Sequence, residues 1–155
     1  MGEHEQPQAF VPDEFDVPPE LITPRFRLEP LGPQHNAEDH EAWTSSIEHI
    51  RATPGFPIGR WPVPGMTLEE NLADLRRHAQ DFAERSGFTY TVLETGSGRV
   101  VGCVYIYPAR ERPGVTDVRS WVTADKADLD PILHEAVSAW LATDWPFTTV
   151  AYAPR

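Results

Sequence analysis

Leu68, Leu72, Leu75, Ala79 and Phe82 recur at spacings of four, three, four and three, which lays one apolar stripe along a helix. Thr67-Leu68-Glu69-Glu70 ahead of them has the form of a capping box, and Gly87 supplies a stop. Arg76, Arg77 and His78 fall off that stripe and are expected to face solvent. A second helix is predicted over 33–51, with Pro33 in its first turn and Trp43, Ile47 and Ile50 on one side. A third opens at Asp130 as N-cap with Pro131 at the first helical position, and Ile132, Leu133, Ala136, Val137, Trp140 and Leu141 give it a broad apolar face. Strands alternate or run β-branched over 21–31, 88–94, 99–107, 117–123 and 147–153, with Thr95-Gly96-Ser97-Gly98 as a hairpin turn. Residues 53–66 hold Pro54, Pro57, Pro62 and Pro64 among three glycines and are expected to be irregular.

The resulting order is strand, helix, helix, strand, strand, strand, helix, strand. It predicts an α+β fold, a mixed twisted sheet of about five strands with helices on both faces. At 155 residues and 40% hydrophobic, one domain accounts for the chain. Residues 1–20 carry Glu3, Glu5, Asp13, Glu14, Asp16 and Glu20, no Lys or Arg, and four prolines. They read as a disordered acidic tail, leaving 21–155 as the domain. The net charge of −11 excludes the basic face that nucleic acid or an anionic membrane requires. Cys103 stands alone in an apolar run and reads as a small buried hydrophobe. No secretory segment or apolar run near 18 residues is present, so a cytoplasmic protein is expected. His35 and His40 are five residues apart and do not share a helix face, so no metal site is expected.

Three strings carry a resemblance. Asp117-Val118-Arg119-Ser120-Trp121-Val122 is similar to the fourth strand, A-E-I-G-Y-W-V, of the GNAT acetyltransferase superfamily, and His134-Glu135-Ala136-Val137 to the T-E-A-L of the helix after it. The segment Leu21 to Leu31 resembles the L-x-T-x-R-L-x-L-R-P-L opening of the ribosomal-protein and aminoglycoside type, with Glu29 in place of the second arginine. The resemblance covers 21–155 and implies acetyl-CoA-dependent transfer to an amine. It implies pantetheine on the backbone of Trp121, Val122 and Thr123, and pyrophosphate on the loop that follows, near Lys126. The family carries Arg/Gln-x-x-Gly-x-Gly/Ala in that loop. Here the stretch 123–131 has no glycine and holds Asp125, Asp128 and Asp130. Two unit charges ~5 Å apart at an effective dielectric near 20 repel by about 3 kcal/mol.

A base is needed to deprotonate the amine, and Asp117 aligns with the family's acidic residue, with Glu94 as the second candidate. The family's late strand, helix and strand are expected to be missing here, which leaves the last strand without cover and makes a homodimer the simplest protection. A ligand pocket is expected between Phe56, Arg60 and Trp61 on one side and Tyr105, Tyr107 and Arg119 on the other. Two functions stay open. One is an N-acetyltransferase using acetyl-CoA. The other is a non-catalytic small-ligand-binding or protein-interaction module, toward which the acidic loop weighs.

Overall fold

The computed structural model describes residues 9–56 and 61–155. Its sheet has six strands in chain order: β1 (Leu21–Ile22), β2 (Phe26–Pro30), β3 (Phe88–Glu94), β4 (Val100–Pro108), β5 (Val115–Val122) and β6 (Thr149–Tyr152). Every neighbouring pair is antiparallel except β5 and β6, which run parallel and are joined through helix α4 (Leu129–Asp144). The expected strand over 21–31 divides in two, because Thr23 turns the chain by accepting the Phe26 N–H and donating its hydroxyl to the Phe26 carbonyl.

Side-chain alternation distributes the sheet between two cores. Tyr90, Val92, Val104, Ile106, Val118 and Val122 face α4, whose Leu133, Val137, Trp140 and Leu141 close that side. Leu93, Cys103 and Trp121 face α1 (Asn36–Thr44), α2 (Ile47–Arg51) and α3 (Leu68–Ala83), which contribute Trp43, Ile50 and Leu75. The β3 strand is therefore buried on both faces, although its sequence alternates. The helix expected over 33–51 is broken. A short 3-10 turn occupies Pro33–His35, and α1 and α2 are separate helices. The serines at the break bond nearby groups: Ser45 Oγ donates to the Ala42 carbonyl, and Ser46 Oγ accepts the Ala124 N–H of the loop after β5.

Residues 9–20 correct the reading of an unstructured tail. Val11 is buried, and Phe10 stacks on Phe88 and Phe147 at 5.8 and 5.0 Å. Phe15 lies against Trp145, and the Tyr90 hydroxyl donates to the Pro18 carbonyl at 2.7 Å. Four apolar side chains among the acidic ones (Phe10, Val11, Phe15, Val17) strap this segment across the α4 side of the core. Arg85 fastens it, donating from Nη2 to the carbonyls of Pro12 and Phe15.

Candidate functional site

The two faces of β5 end in two different environments. Asp117, Arg119 and Trp121 point to the α1–α3 side, while Thr116, Val118, Ser120 and Val122 point to α4. β5 pairs with β6 only from Val115↔Thr149 to Val118↔Tyr152, so Arg119–Val122 continue with β4 as sole strand partner and an opening lies between the strand ends.

On the first face is a cleft of about 1050 Å³, walled by α3, the β4–β5 hairpin and the loop after α2. Phe56, Trp61 and Tyr105 form its aromatic end, with ring centroids 6.1 to 6.3 Å apart. Trp121 lies beneath, fully buried, and its indole N–H donates to the Tyr105 hydroxyl at 2.9 Å. Burial of Tyr105 pushes its phenol pKa well up, so this hydroxyl is a fixed, neutral group. The cleft's other end is charged. Arg119 pairs with Asp117 at 3.2 Å and Arg77 with Asp74 at 2.8 Å, while Arg110, Glu111 and Arg112 line the hairpin tip and form no ion pair among the described residues.

Between the two ends sits a proton network that the spacing of α3 encodes. His78 does not face solvent. Its Nδ1 lies 2.9 Å from the Tyr107 hydroxyl and 3.0 Å from the Thr89 hydroxyl, and Tyr107 donates to Asp81 at 2.8 Å. Burial, helped by the neighbouring Arg77 charge, lowers the His78 pKa from 6.5 to about 4, so the ring is neutral at pH 7. With the Tyr107 proton directed to Asp81, the Thr89 hydroxyl, a donor or an acceptor toward Nδ1, sets which ring nitrogen carries the imidazole proton. The sequence signal is the stripe Asn71, Leu75, His78, Phe82 at spacings of four, three and four, which shares Leu75 and Phe82 with the apolar stripe. Leu68, chosen for the buried stripe, is instead 49% exposed, whereas Asn71 is buried and bonds Trp43, Asp39 and Asn36.

The structure thus brings Phe56, Trp61, Tyr105, Tyr107, Asp117 and Arg119 to one cavity. Arg60 lies outside the described residues. Glu94 is elsewhere, at the far end of β3, where Lys126 pairs with it at 2.6 Å and, with Ser97, holds its pKa below the usual carboxylate range. Lys126, assigned to a cofactor, is taken up by that pair.

At the opening, the loop after β5 has three of its N–H groups engaged. Ala124 N–H donates to Ser46 Oγ, Lys126 N–H to the Thr123 carbonyl and Asp130 N–H to the Ala127 carbonyl. Asp125 pairs with Arg99 at 2.7 Å and Asp128 with Arg25 at 2.9 Å. The three aspartates are therefore not a bare cluster of like charge. Asp130 is not the N-cap either. α4 starts at Leu129 after Asp128, and the Asp130 carboxylate, in the first turn, accepts from Arg155 Nε at 2.6 Å. Arg155 fills the opening and also donates to the Ser120 carbonyl at 2.9 Å. A pantetheine needs free backbone groups at this end of β5, and a pyrophosphate needs free N–H groups on the loop. At this end of β5 the Ser120 carbonyl is taken by Arg155, and on the loop the N–H groups of Ala124, Lys126 and Asp130 are engaged.

No helix among the described residues is long and apolar enough to cross a membrane. No family model matches the chain, and no curated protein matches it. Solved structures do resemble it. The ribosomal-protein-S5-alanine acetyltransferase from Vibrio fischeri superposes with a TM-score of 0.63 at 12% identity, covering 81% of this chain and 67% of that one. A putative ribosomal-protein-serine acetyltransferase from Vibrio cholerae gives 0.65 at 14% identity over 92% and 75%. The microcin C7 self-immunity acetyltransferase, solved with acetyl-CoA and AMP, gives 0.61 at 11% identity over 77% and 62%. The chain spans 62% to 75% of the length of these structures. With its α+β architecture and the parallel β5–β6 pair that parts at its end, this chain has the GNAT acetyltransferase fold.

Proposed function

We propose that this protein binds a small aromatic or anionic molecule in the cleft between α3 and the β4–β5 hairpin, on a GNAT fold that does not use CoA. The contrast between the two faces of β5 carries this reading. One face opens on a cavity with aromatic walls, a neutral His78, and Arg110 and Arg112, which form no ion pair among the described residues; this set suits a planar ligand bearing a carboxylate or phosphate. The other is filled by Arg155. Trp61 packs on Trp43, Phe56, Tyr105 and Trp121, so ligand entry is expected to change its fluorescence. Fluorescence titration with a panel of aromatic carboxylates and phosphates, beside calorimetry with acetyl-CoA, tests the proposal. A ligand from the panel should bind, with Trp61→Ala and Arg119→Ala each weakening it by about tenfold, or about 1.4 kcal/mol. Unchanged binding in both variants removes the cleft from consideration.

A second reading is favoured by one observation, the acetyl-CoA present in a structure of the same fold. It is N-acetyl transfer, with the ammonium of an acceptor beside Asp117. Low-micromolar acetyl-CoA binding by the wild-type protein with turnover on any amine establishes it and ends the first, and Asp117→Asn then becomes the decisive variant.

A further inference from the structure

We infer that the opening between β5 and β6 is a guanidinium-binding site, which the chain fills with its own Arg155. Three kinds of group converge there. The Asp130 carboxylate supplies a charge, accepting from Nε at 2.6 Å. Main-chain carbonyls supply neutral acceptors: Ser120 O takes Nη2 at 2.9 Å, Ala153 O takes Nη1 at 2.8 Å, and Ser120 Oγ adds a longer contact from Nη2 at 3.3 Å. The Tyr152 ring supplies an aromatic face, 5.7 Å from the guanidinium carbon. All three nitrogens of the guanidinium are satisfied, and its side chain is 6% exposed.

This set is selective for chemical reasons. A planar fork with five N–H donors can reach acceptors in three directions at once, whereas an ammonium is a point charge with three donors. A buried guanidinium is tolerated only where charge and hydrogen bonds are both matched, as they are here. Two of the surrounding groups, Tyr152 and Ser120, have contacts besides Arg155. The Tyr152 ring lies 4.1 Å from the His134 ring, one turn along α4 from Asp130, and its hydroxyl bonds Ser120 Oγ. Two further buried atoms, Asp130 Oδ1 and His134 Nε2, have no partner among the described residues, so the pocket has polar capacity beyond what Arg155 uses. The site is thus lined for an arginine side chain or an alkylguanidine, and the same carboxylate that accepts a guanidinium repels the phosphates of a nucleotide cofactor.

Chemical rescue tests the inference, independently of any ligand in the cleft. Arg155→Ala should lower Tm by about 5 °C or more, since it strands the Asp130 carboxylate. Ethylguanidinium at ~10 mM should restore part of that loss saturably, ethylammonium at equal ionic strength should not, and wild-type Tm should not move with either. Arg155→Lys should recover less than half of the loss. Should Arg155→Ala not fold, the double variant with Asp130→Asn provides the reading, because removing the orphaned charge should recover a folded protein more stable than the single variant. The inference is overturned if Arg155→Ala melts within about 1 °C of wild type, or if the two ethyl cations act alike. It is also overturned if adding Asp130→Asn to Arg155→Ala brings no recovery.

Discussion

Gly87 matters for a different reason from the one its place after a helix suggests. α3 ends at Ala83, and the left-handed residue beyond it is Arg85, with φ of 62°. A side chain at Gly87 would run into the ring of Tyr107, the phenol that Asp81 and His78 hold on both sides. The glycine therefore keeps a hydrogen-bonded ring in the wall of the cleft. Gly87→Ala is expected to cost roughly 1–3 kcal/mol, the usual range for overpacking a rigid neighbour, measured by chemical denaturation. In a Tyr107→Ala background the same substitution should cost less than half as much, because the obstructing ring is gone. An equal cost in both backgrounds means that the strain lies in the backbone and not at the ring.

At the scale of elements, local rules succeeded where local groups decide. The Thr67 box is present in full: Glu70 N–H donates to Thr67 Oγ1 at 3.1 Å, and Thr67 N–H to Glu70 Oε1 at 2.8 Å. Thr67→Ala should lower stability by about 1 kcal/mol while leaving Glu70→Ala in that background nearly without effect, since the pair acts as one cap. A loss from Glu70→Ala as large in the variant as in the wild type contradicts that. The strands, their hairpin and the aromatic cleft were likewise legible, because period-two patterning and turn glycines are properties of a few neighbouring residues. What escaped was set by distant partners. Asp130 looked like a cap for α4, but Arg155, 25 positions away, claims its carboxylate. Three aspartates looked like a repulsive loop, but Arg25 and Arg99 neutralise two of them from other parts of the chain. His78 is expected in solvent because it falls off the apolar stripe, yet β3 and β4 supply the hydroxyls that bond its buried ring.

For the molecule as a whole, two buried groups set opposite pH dependences in one window. Burial raises the Asp39 pKa from 3.8 to about 6, against the Asn71 hydrogen bond that lowers it. Burial lowers that of His78 from 6.5 to about 4. Stability rises with pH wherever the unfolded chain binds more protons than the native one. Between about pH 4 and 6 the unfolded chain protonates His78 and the native one does not, so this group makes stability rise with pH. Over the same range the native chain protonates Asp39 and the unfolded one does not, so that group makes it fall. Each slope is at most about 1.4 kcal/mol per pH unit, and the two offset each other in the wild type. Single substitutions should separate them. Asp39→Asn keeps the hydrogen-bonding shape and removes the falling component, so its stability should climb from pH 4 to 6.5. His78→Gln removes the rising component, so its stability should decline from pH 4 to 6. Carboxylates with lowered pKa, such as Glu94 and Asp125, lose their contribution below about pH 4.5 in both variants alike and cancel in the comparison. Urea denaturation of the two variants across that range reads the difference directly. Parallel profiles would mean that neither group titrates in the native state as its surroundings dictate, and the neutral His78 in the cleft would lose its physical basis.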